Sequence, residues 1–213
     1  MIENLRYLFD KNIKDKYKVK LVSGSYEVGR SAMAGPIVVA SVILKLDYSN
    51  LLIRDSKLLS EKQREKLYDE IIDNCISYSI CEYDSEFVDK FNPKQTSRIG
   101  MIETIKNLKV KPEFCLIDGE SIELPEYKCL KIIKGDNLSL SIAAASILAK
   151  VYKDRIMINY HSKYPDYNFI KHKGYCTIEH QLKVQQFGIL NFYRLSYKLI
   201  MKIKGENNEF WQK

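Results

Sequence analysis

Histidine and tryptophan are scarce in this chain of 213 residues, at three and one, and the five cysteines are scattered. Cys75, Cys81, Cys115, Cys129 and Cys176 include no C-x-x-C pair, and an odd number cannot all be bridged. A disulfide scaffold and a Cys/His metal cluster are therefore not expected, and a reduced compartment is. Cys75, Cys81 and Cys115 lie in apolar runs, where free cysteine usually acts as a small buried hydrophobe. No stretch approaches the ~20 apolar residues needed to span a bilayer. Residues 1–18 alternate charged with apolar side chains, unlike a signal peptide. The expectation is a cytoplasmic protein without a membrane partner. Repeats, low-complexity tracts and Pro/Gly/Ser-rich linkers are missing too, so nothing marks a division into two large domains. The reading is a main domain over residues 1–160 with a loop and helical extension over 161–213, functioning as a monomer.

What is present in excess is positive charge. Lys and Arg number 34 against 27 Asp and Glu, a net charge of +7 that favours an anionic partner such as a phosphate backbone. A lysine-rich composition gives the same excess with nothing bound, so the charge alone does not decide between these readings.

Two apolar runs, 18–23 and 37–44, flank the glycine-bearing segment GSYEVGRSAMAG and predict a strand pair joined by a turn. Ser60 and Gln63 have the spacing of a capping box before an amphipathic helix. Alternation predicts a strand over 75–83. Pro93 punctuates a short helical region, and a second helical pattern follows over 96–108. Short apolar runs at 114–117 and 129–133 read as strands, and 139–160 as a helix with small residues on one side. A polar loop follows, then a helix from Thr177 and a basic tail. Strands alternating with helices imply an α/β layer fold.

Hard divalent cations need anionic oxygens, and nucleases of the two-metal kind set carboxylates at strand ends. Glu27, Asp118 and Asp136 each follow an apolar strand-like run. Taken singly, each reads more simply as a solvated turn acid. Asp154 and Arg155 read first as an ion pair on a helix surface, and His172 as a loop or phosphate-contact residue.

The words around these acids change the weighing. GSYEVGRSAMAGP (24–36), DSK (55–57), DG (118–119), KGD (134–136), SIAAASILAKVYKDR (141–155) and YPDYNFIKHKGYCT (164–177) follow the order of the motifs of ribonuclease HII, and the chain resembles that family over roughly 20–197. The resemblance implies a ribonuclease H-like fold, a mixed central sheet flanked by helices with a C-terminal helical extension. It also implies a Mg²⁺ or Mn²⁺ cofactor pair. The implied substrate is an RNA–DNA hybrid or a ribonucleotide in duplex DNA, cut on the 5′ side of the ribonucleotide. Ribonuclease HIII fits less well, because little chain precedes Gly24 for that family's extra substrate-binding domain.

Carried over position by position, the family's metal-binding quartet falls on Tyr26, Glu27, Asp118 and Asp136. Tyr26 stands where the family has aspartate. Gly29, Arg30 and Ser31 match the loop that touches the ribonucleotide backbone and its 2′-hydroxyl, with Ser31 replacing a glycine. Tyr175 matches the tyrosine that senses the 2′-hydroxyl, and Cys176 beside it replaces another glycine. Lys57 and Ser146 match positions near the nucleic-acid backbone. A phenol is neutral at pH 7 and bulky, hence a poor ligand for a hard cation. Loss or strong impairment of cleavage is the expectation. The alternatives are an active, Mn²⁺-preferring nuclease using Glu27, Asp118 and Asp136, or a noncatalytic nucleic-acid-binding module.

Overall fold

The computed structural model describes residues 3–210, so Met1 and Ile2 of the N-terminal segment and residues 211–213 of the expected extension lie outside the described residues. The elements run in the order α1 (Leu5–Tyr17), β1 (Val22–Val28), β2 (Ile37–Leu44), α2 (Glu61–Asp73), β3 (Cys75–Tyr83), α3 (Ser85–Lys106), β4 (Phe114–Asp118), β5 (Lys128–Ile132), α4 (Gly135–Leu138), α5 (Leu140–Lys163), α6 (Phe169–His172), α7 (Ile178–Phe187) and α8 (Lys198–Phe210). Two compact units share the chain. The first comprises Met1–Val28, Val38–Cys81 and Ser97–Val151; the second comprises Gly29–Ile37, Glu82–Thr96 and Tyr152–Lys213.

The sheet has the strand order β3-β2-β1-β4-β5. β1 pairs antiparallel with β2 and parallel with β4, and β4 pairs parallel with β5. Every residue of β2 is buried, as its uninterrupted apolar run requires of a strand covered on both faces. β1 differs from the expectation: the strand covers Val22–Val28 rather than ending at Ser23. Pairing with two neighbours satisfies its backbone, and that outweighs the poor strand propensity of Ser and Gly. Tyr26 and Glu27 therefore sit in a strand, not in a turn. Gly24 belongs there for a steric reason, since a Cβ would lie 2.2 Å from the backbone carbon of Ser141 in α5.

α5 rests its alanine-rich side on this unit, with Ala143, Ala144, Ala145 and Ala149 fully buried. Its start is anchored by Asp10 of α1, whose carboxylate accepts from the backbone N–H of Ser141 at 2.8 Å and from its hydroxyl at 2.7 Å. Burial pushes the Asp10 pKa up, while the bonds from Ser139 and Ser141 pull it down. Beneath β1, the hydroxyls of Ser25, Ser41 and Thr104 form a buried relay at 2.7 and 2.8 Å, ending on the Gly100 carbonyl. The capping box at Ser60 and Gln63 is formed as the spacing predicts.

The second unit has its own core, built around Met33, Met157, Phe169, Val184, Tyr193, Ile200 and Ile203. Tyr160 stacks on Phe192 at 4.0 Å, and Tyr167 on Phe169 at 5.4 Å. Around Pro93 the helix α3 is continuous except for a break at Asn92, which has φ +59°; its side chain accepts from the N–H groups of Lys94 and Gln95 and restarts the helix. Asp154 is buried, so it does not lie on the helix surface where the sequence reading put it. His172 is buried as well, its Nε2–H donating to the Tyr167 carbonyl at 2.8 Å. It is a core side chain, not a phosphate contact.

Candidate active site

The first unit gathers acids around Tyr26. Asp118 closes β4, and its Oδ1 accepts from the Gly135 N–H at 2.6 Å. That bond ties Asp118 to the turn that delivers Asp136, in the first turn of α4 and itself buried. Asp55, ahead of the 3₁₀ turn Ser56–Leu58, accepts from the Lys57 N–H at 2.9 Å.

Tyr26 occupies the middle of this set and is only 6% exposed. In register it faces Ala40, whose small side chain leaves room on the neighbouring strand. Its hydroxyl lies within hydrogen-bonding reach of the Asp136 carboxylate and accepts from the Lys57 ammonium at 3.4 Å. Burial raises the phenol pKa, and the charges of Asp136, Asp118, Glu27 and Asp55 raise it further, so Tyr26 is neutral across the physiological range. Asp118 is pushed up to about 6, first by burial and then by Asp136, against the lowering bond from Gly135. Asp136 is also raised, by burial and by Asp55, while Tyr26 and Lys57 oppose the shift. Crowded acids with raised pKa values mark a place where added positive charge is favourable. Among the described residues, however, no group of three or more His, Cys, Asp or Glu side chains is arranged to hold a metal ion.

The second unit contains the other expected residues. Gly29 has φ +102°, and a Cβ there would meet the Lys153 side chain at 2.7 Å and the Pro36 carbonyl at 2.8 Å, so only glycine fits. Arg30 follows half-buried and Ser31 exposed. The loop then pairs with the segment bearing Tyr175: Ala32 bridges Tyr175, and the N–H groups of Met33 and Ala34 donate to the Gly174 carbonyl. Residues more than 140 positions apart are thereby joined, and Gly29, Arg30, Ser31 and Tyr175 belong to one paired structure. Tyr175 is half-buried, with the Lys153 ammonium 4.8 Å from its ring centroid. Lys153 is fully buried and donates to the Lys173 carbonyl at 2.7 Å. Behind the loop, His180 Nδ1–H donates to the Tyr175 carbonyl at 2.9 Å, and its Nε2 accepts from the Tyr193 hydroxyl at 2.7 Å. Burial and the neighbouring His172 hold the His180 pKa down to about 3, which keeps this network neutral.

The expected residues thus fall into two groups: Tyr26, Glu27, Lys57, Asp118 and Asp136 in the first unit, and Gly29, Arg30, Ser31 and Tyr175 in the second. Ser146 joins neither. It is 0% exposed and its hydroxyl donates to the Ala143 carbonyl of its own helix, so it packs α5 instead of meeting a ligand. Ser31 and Cys176, where the resemblance has glycine, are both exposed, and neither has positive φ. Backbone strain at these two positions is thereby excluded. Sequence reasoning missed Asp55, Lys153 and Arg194. Asp55 had a signal, its place in the DSK segment. Lys153 and Arg194 had none, because nothing in a sequence distinguishes a buried cation from a surface one.

Comparison with known proteins bears on the family and the fold. A family model described as Ribonuclease HII matches residues 23–200. A ribonuclease HII of Mycoplasma mycoides is 53% identical over 204 residues, covering 95% of this chain and 99% of that one. Among solved structures, ribonuclease H2 from Pyrococcus horikoshii superposes with a TM-score of 0.77 at 22% identity, covering 89% of this chain and 99% of that one. Bst-RNase HIII in complex with Mn²⁺ gives a TM-score of 0.63 at 17% identity, covering 89% and 70%. These two structural likenesses bear on the fold, which is of the ribonuclease H type.

Proposed function

Because the chain belongs to the ribonuclease HII family, whose members are endonucleases that cleave RNA–DNA hybrids, we propose that it recognises such hybrids and single ribonucleotides in duplex DNA while cleaving them weakly or not at all. The observation that carries this reading is the contrast between the two units. The Gly29–Ser31 loop and Tyr175 are paired into one firm structure, whereas a neutral, buried tyrosine occupies the middle of the acids.

The family implies a divalent metal, and the residues present do not fit a preformed pair. Tyr26 supplies no anionic oxygen, its hydroxyl engages Asp136, and Lys57 brings a cation of its own to that hydroxyl. No step is therefore derived through a metal. What the chain's own residues offer is recognition. Arg30 and Lys57 supply positive charge for the phosphates, and Tyr175 supplies a ring and hydroxyl suited to a ribose and its 2′-hydroxyl. The test is binding to a duplex with one ribonucleotide and to the all-DNA duplex of the same sequence. Tyr175→Ala should cost about fivefold or more on the first and much less on the second. Equal losses on both would remove Tyr175 from the role of sugar sensor.

One observation favours a second reading. Asp55 is close enough for its charge to raise both Asp118 and Asp136, so although no donor set is preformed among the described residues, a rearranged set that recruits Asp55 beside Glu27, Asp118 and Asp136 would suit a tolerant cation such as Mn²⁺. Cleavage in Mn²⁺ that Asp55→Asn abolishes would support it.

A further inference from the structure

Arg194 is the largest fully buried side chain among the described residues, at 0% exposed. Its guanidinium has no carboxylate at hydrogen-bonding distance in the bonds observed; it spends its donors on main-chain oxygens and one hydroxyl. Nη1 donates to the carbonyls of Gly29 at 2.7 Å and Arg30 at 3.1 Å and to the Tyr197 hydroxyl at 2.7 Å, while Nε and Nη2 both reach the Gly35 carbonyl at 3.2 and 2.9 Å. The Tyr197 hydroxyl in turn donates to the Arg30 carbonyl. The backbone N–H of Arg194 donates to the Met33 carbonyl.

Segment 29–35 is thus curled around one planar cation, with its first and last carbonyls aimed inward. Burying a guanidinium is costly, and burial does lower the Arg194 pKa, while Tyr197 and the more distant charge of Asp89 oppose that shift. A loop needing only to be packed would be served by an apolar side chain. What a guanidinium adds is a rigid fork that fixes several carbonyls at once. With its carbonyls drawn inward, the loop turns Ser31 outward and leaves Arg30 half-buried at its rim.

We infer that Arg194, with Tyr197, is a positioning residue that locks the Gly29–Ser31 loop in the shape that meets the ribonucleotide, an inference that rests on the substrate reading above. The experiment uses the full chain and two variants, Arg194→Lys, which keeps the charge but not the fork, and Tyr197→Phe, which removes only the shared hydroxyl. Three quantities are read: thermal stability, amide hydrogen exchange over 29–35, and affinity for the one-ribonucleotide and all-DNA duplexes. The expected result is faster exchange confined to 29–35, a loss of about fivefold or more on the ribonucleotide duplex, and less than about twofold on all-DNA. If Arg194→Lys does not fold, Tyr197→Phe carries the test alone. Unchanged exchange in 29–35 overturns the inference. So does faster exchange with unaltered ribonucleotide affinity, or with equal losses on both duplexes, because the clamp would then be structural only. An unaltered chain that does not prefer the ribonucleotide duplex overturns the substrate reading instead, and the exchange arm then decides whether Arg194 holds the loop.

Discussion

The two units absorb change in opposite ways. In the first, the departure from the family pattern is Tyr26, buried among acids whose pKa values already record crowding. In the second, the departures are Ser31 and Cys176, both exposed, while the position that tolerates no Cβ, Gly29, is retained. A buried replacement must take over the space and the hydrogen bonds of what it replaces, so it rewrites the local chemistry. An exposed one adds atoms on the solvent side and leaves the frame alone. On the proposed function, the chemistry of the first unit would be altered at its centre, and recognition by the second only at its rim.

The sharpest way to break this contrast is Tyr26→Asp. Returning an anionic oxygen and clearing the ring should raise single-turnover cleavage at a ribonucleotide by about a hundredfold or more, since each 1.36 kcal/mol of transition-state stabilisation is tenfold. A second readout is independent of turnover: Mn²⁺ or Mg²⁺ should stabilise the variant against heat more than it stabilises the unaltered chain. Robust Mg²⁺-dependent cleavage by the unaltered chain, lost on Asp118→Asn, would sink the claim of impairment.

Next in size is the salt response. If Arg30, Lys57 and a few neighbours neutralise phosphates, affinity for hybrid duplex should fall by some tens of fold between about 50 and 200 mM salt. A flat response would mean that the +7 net charge reflects composition alone.

Asp118 tests the first unit by itself. Its carboxyl is raised to about 6 from an ordinary 3.8, so the folded state holds this proton more tightly than the unfolded one. Well below pH 3.8 both states are protonated and the group is neutral to stability. As pH rises from about 4 to 6 the unfolded carboxyl ionises while the buried one keeps its proton, so stability falls, and above 6 the loss levels off at about 1–2 kcal/mol once partial solvent screening is allowed for. Asp118→Asn, which keeps the acceptor for the Gly135 N–H, should thus stabilise the chain at pH 7.5 and leave it nearly unchanged at about pH 3. Urea unfolding in the presence of a chelator measures both. A variant equally stabilised at the two pH values would show that the effect is packing, not charge.

Much of this was legible in the sequence, and what was not has a common cause. Periodicity predicted α2 with its capping box, the strand at 75–83 and the long small-residue helix, because those signals are local. The ordered motifs singled out the acids, the Gly29–Ser31 loop and Tyr175 as candidates. The extent of β1 was misjudged, because two neighbouring strands override its weak propensity, and neighbours are not written in the strand itself. The buried states of His172, Asp154, Lys153 and Arg194 were hidden for a related reason. His172, Lys153 and Arg194 bond to main-chain groups, some of them distant in the chain, and a one-dimensional pattern carries no trace of such partners.

The smallest effect expected is at the rim of the second unit. Ser31 and Cys176 occupy glycine positions of the family pattern, and two consequences are conceivable: a strained loop, or side chains that stand between the backbone and the substrate. Strain is ruled out, because neither residue has positive φ and both project to solvent; Cys176 even accepts a hydrogen bond from Gln181 Nε2 at 3.4 Å. Only the added bulk remains. Restoring Ser31→Gly and Cys176→Gly together should therefore leave stability within about 0.5 kcal/mol, the usual range for surface substitutions. Against a Tyr26→Asp background the same pair should raise cleavage by about two- to fivefold, because rate depends steeply on how closely the scissile phosphate is placed. The unaltered background should gain ribonucleotide affinity by a similar factor and gain no cleavage, since closer approach of the substrate does not supply the missing oxygen. A large gain in cleavage without Tyr26→Asp would reverse the comparison between the units, placing the decisive defect at the rim of the second and not at the centre of the first.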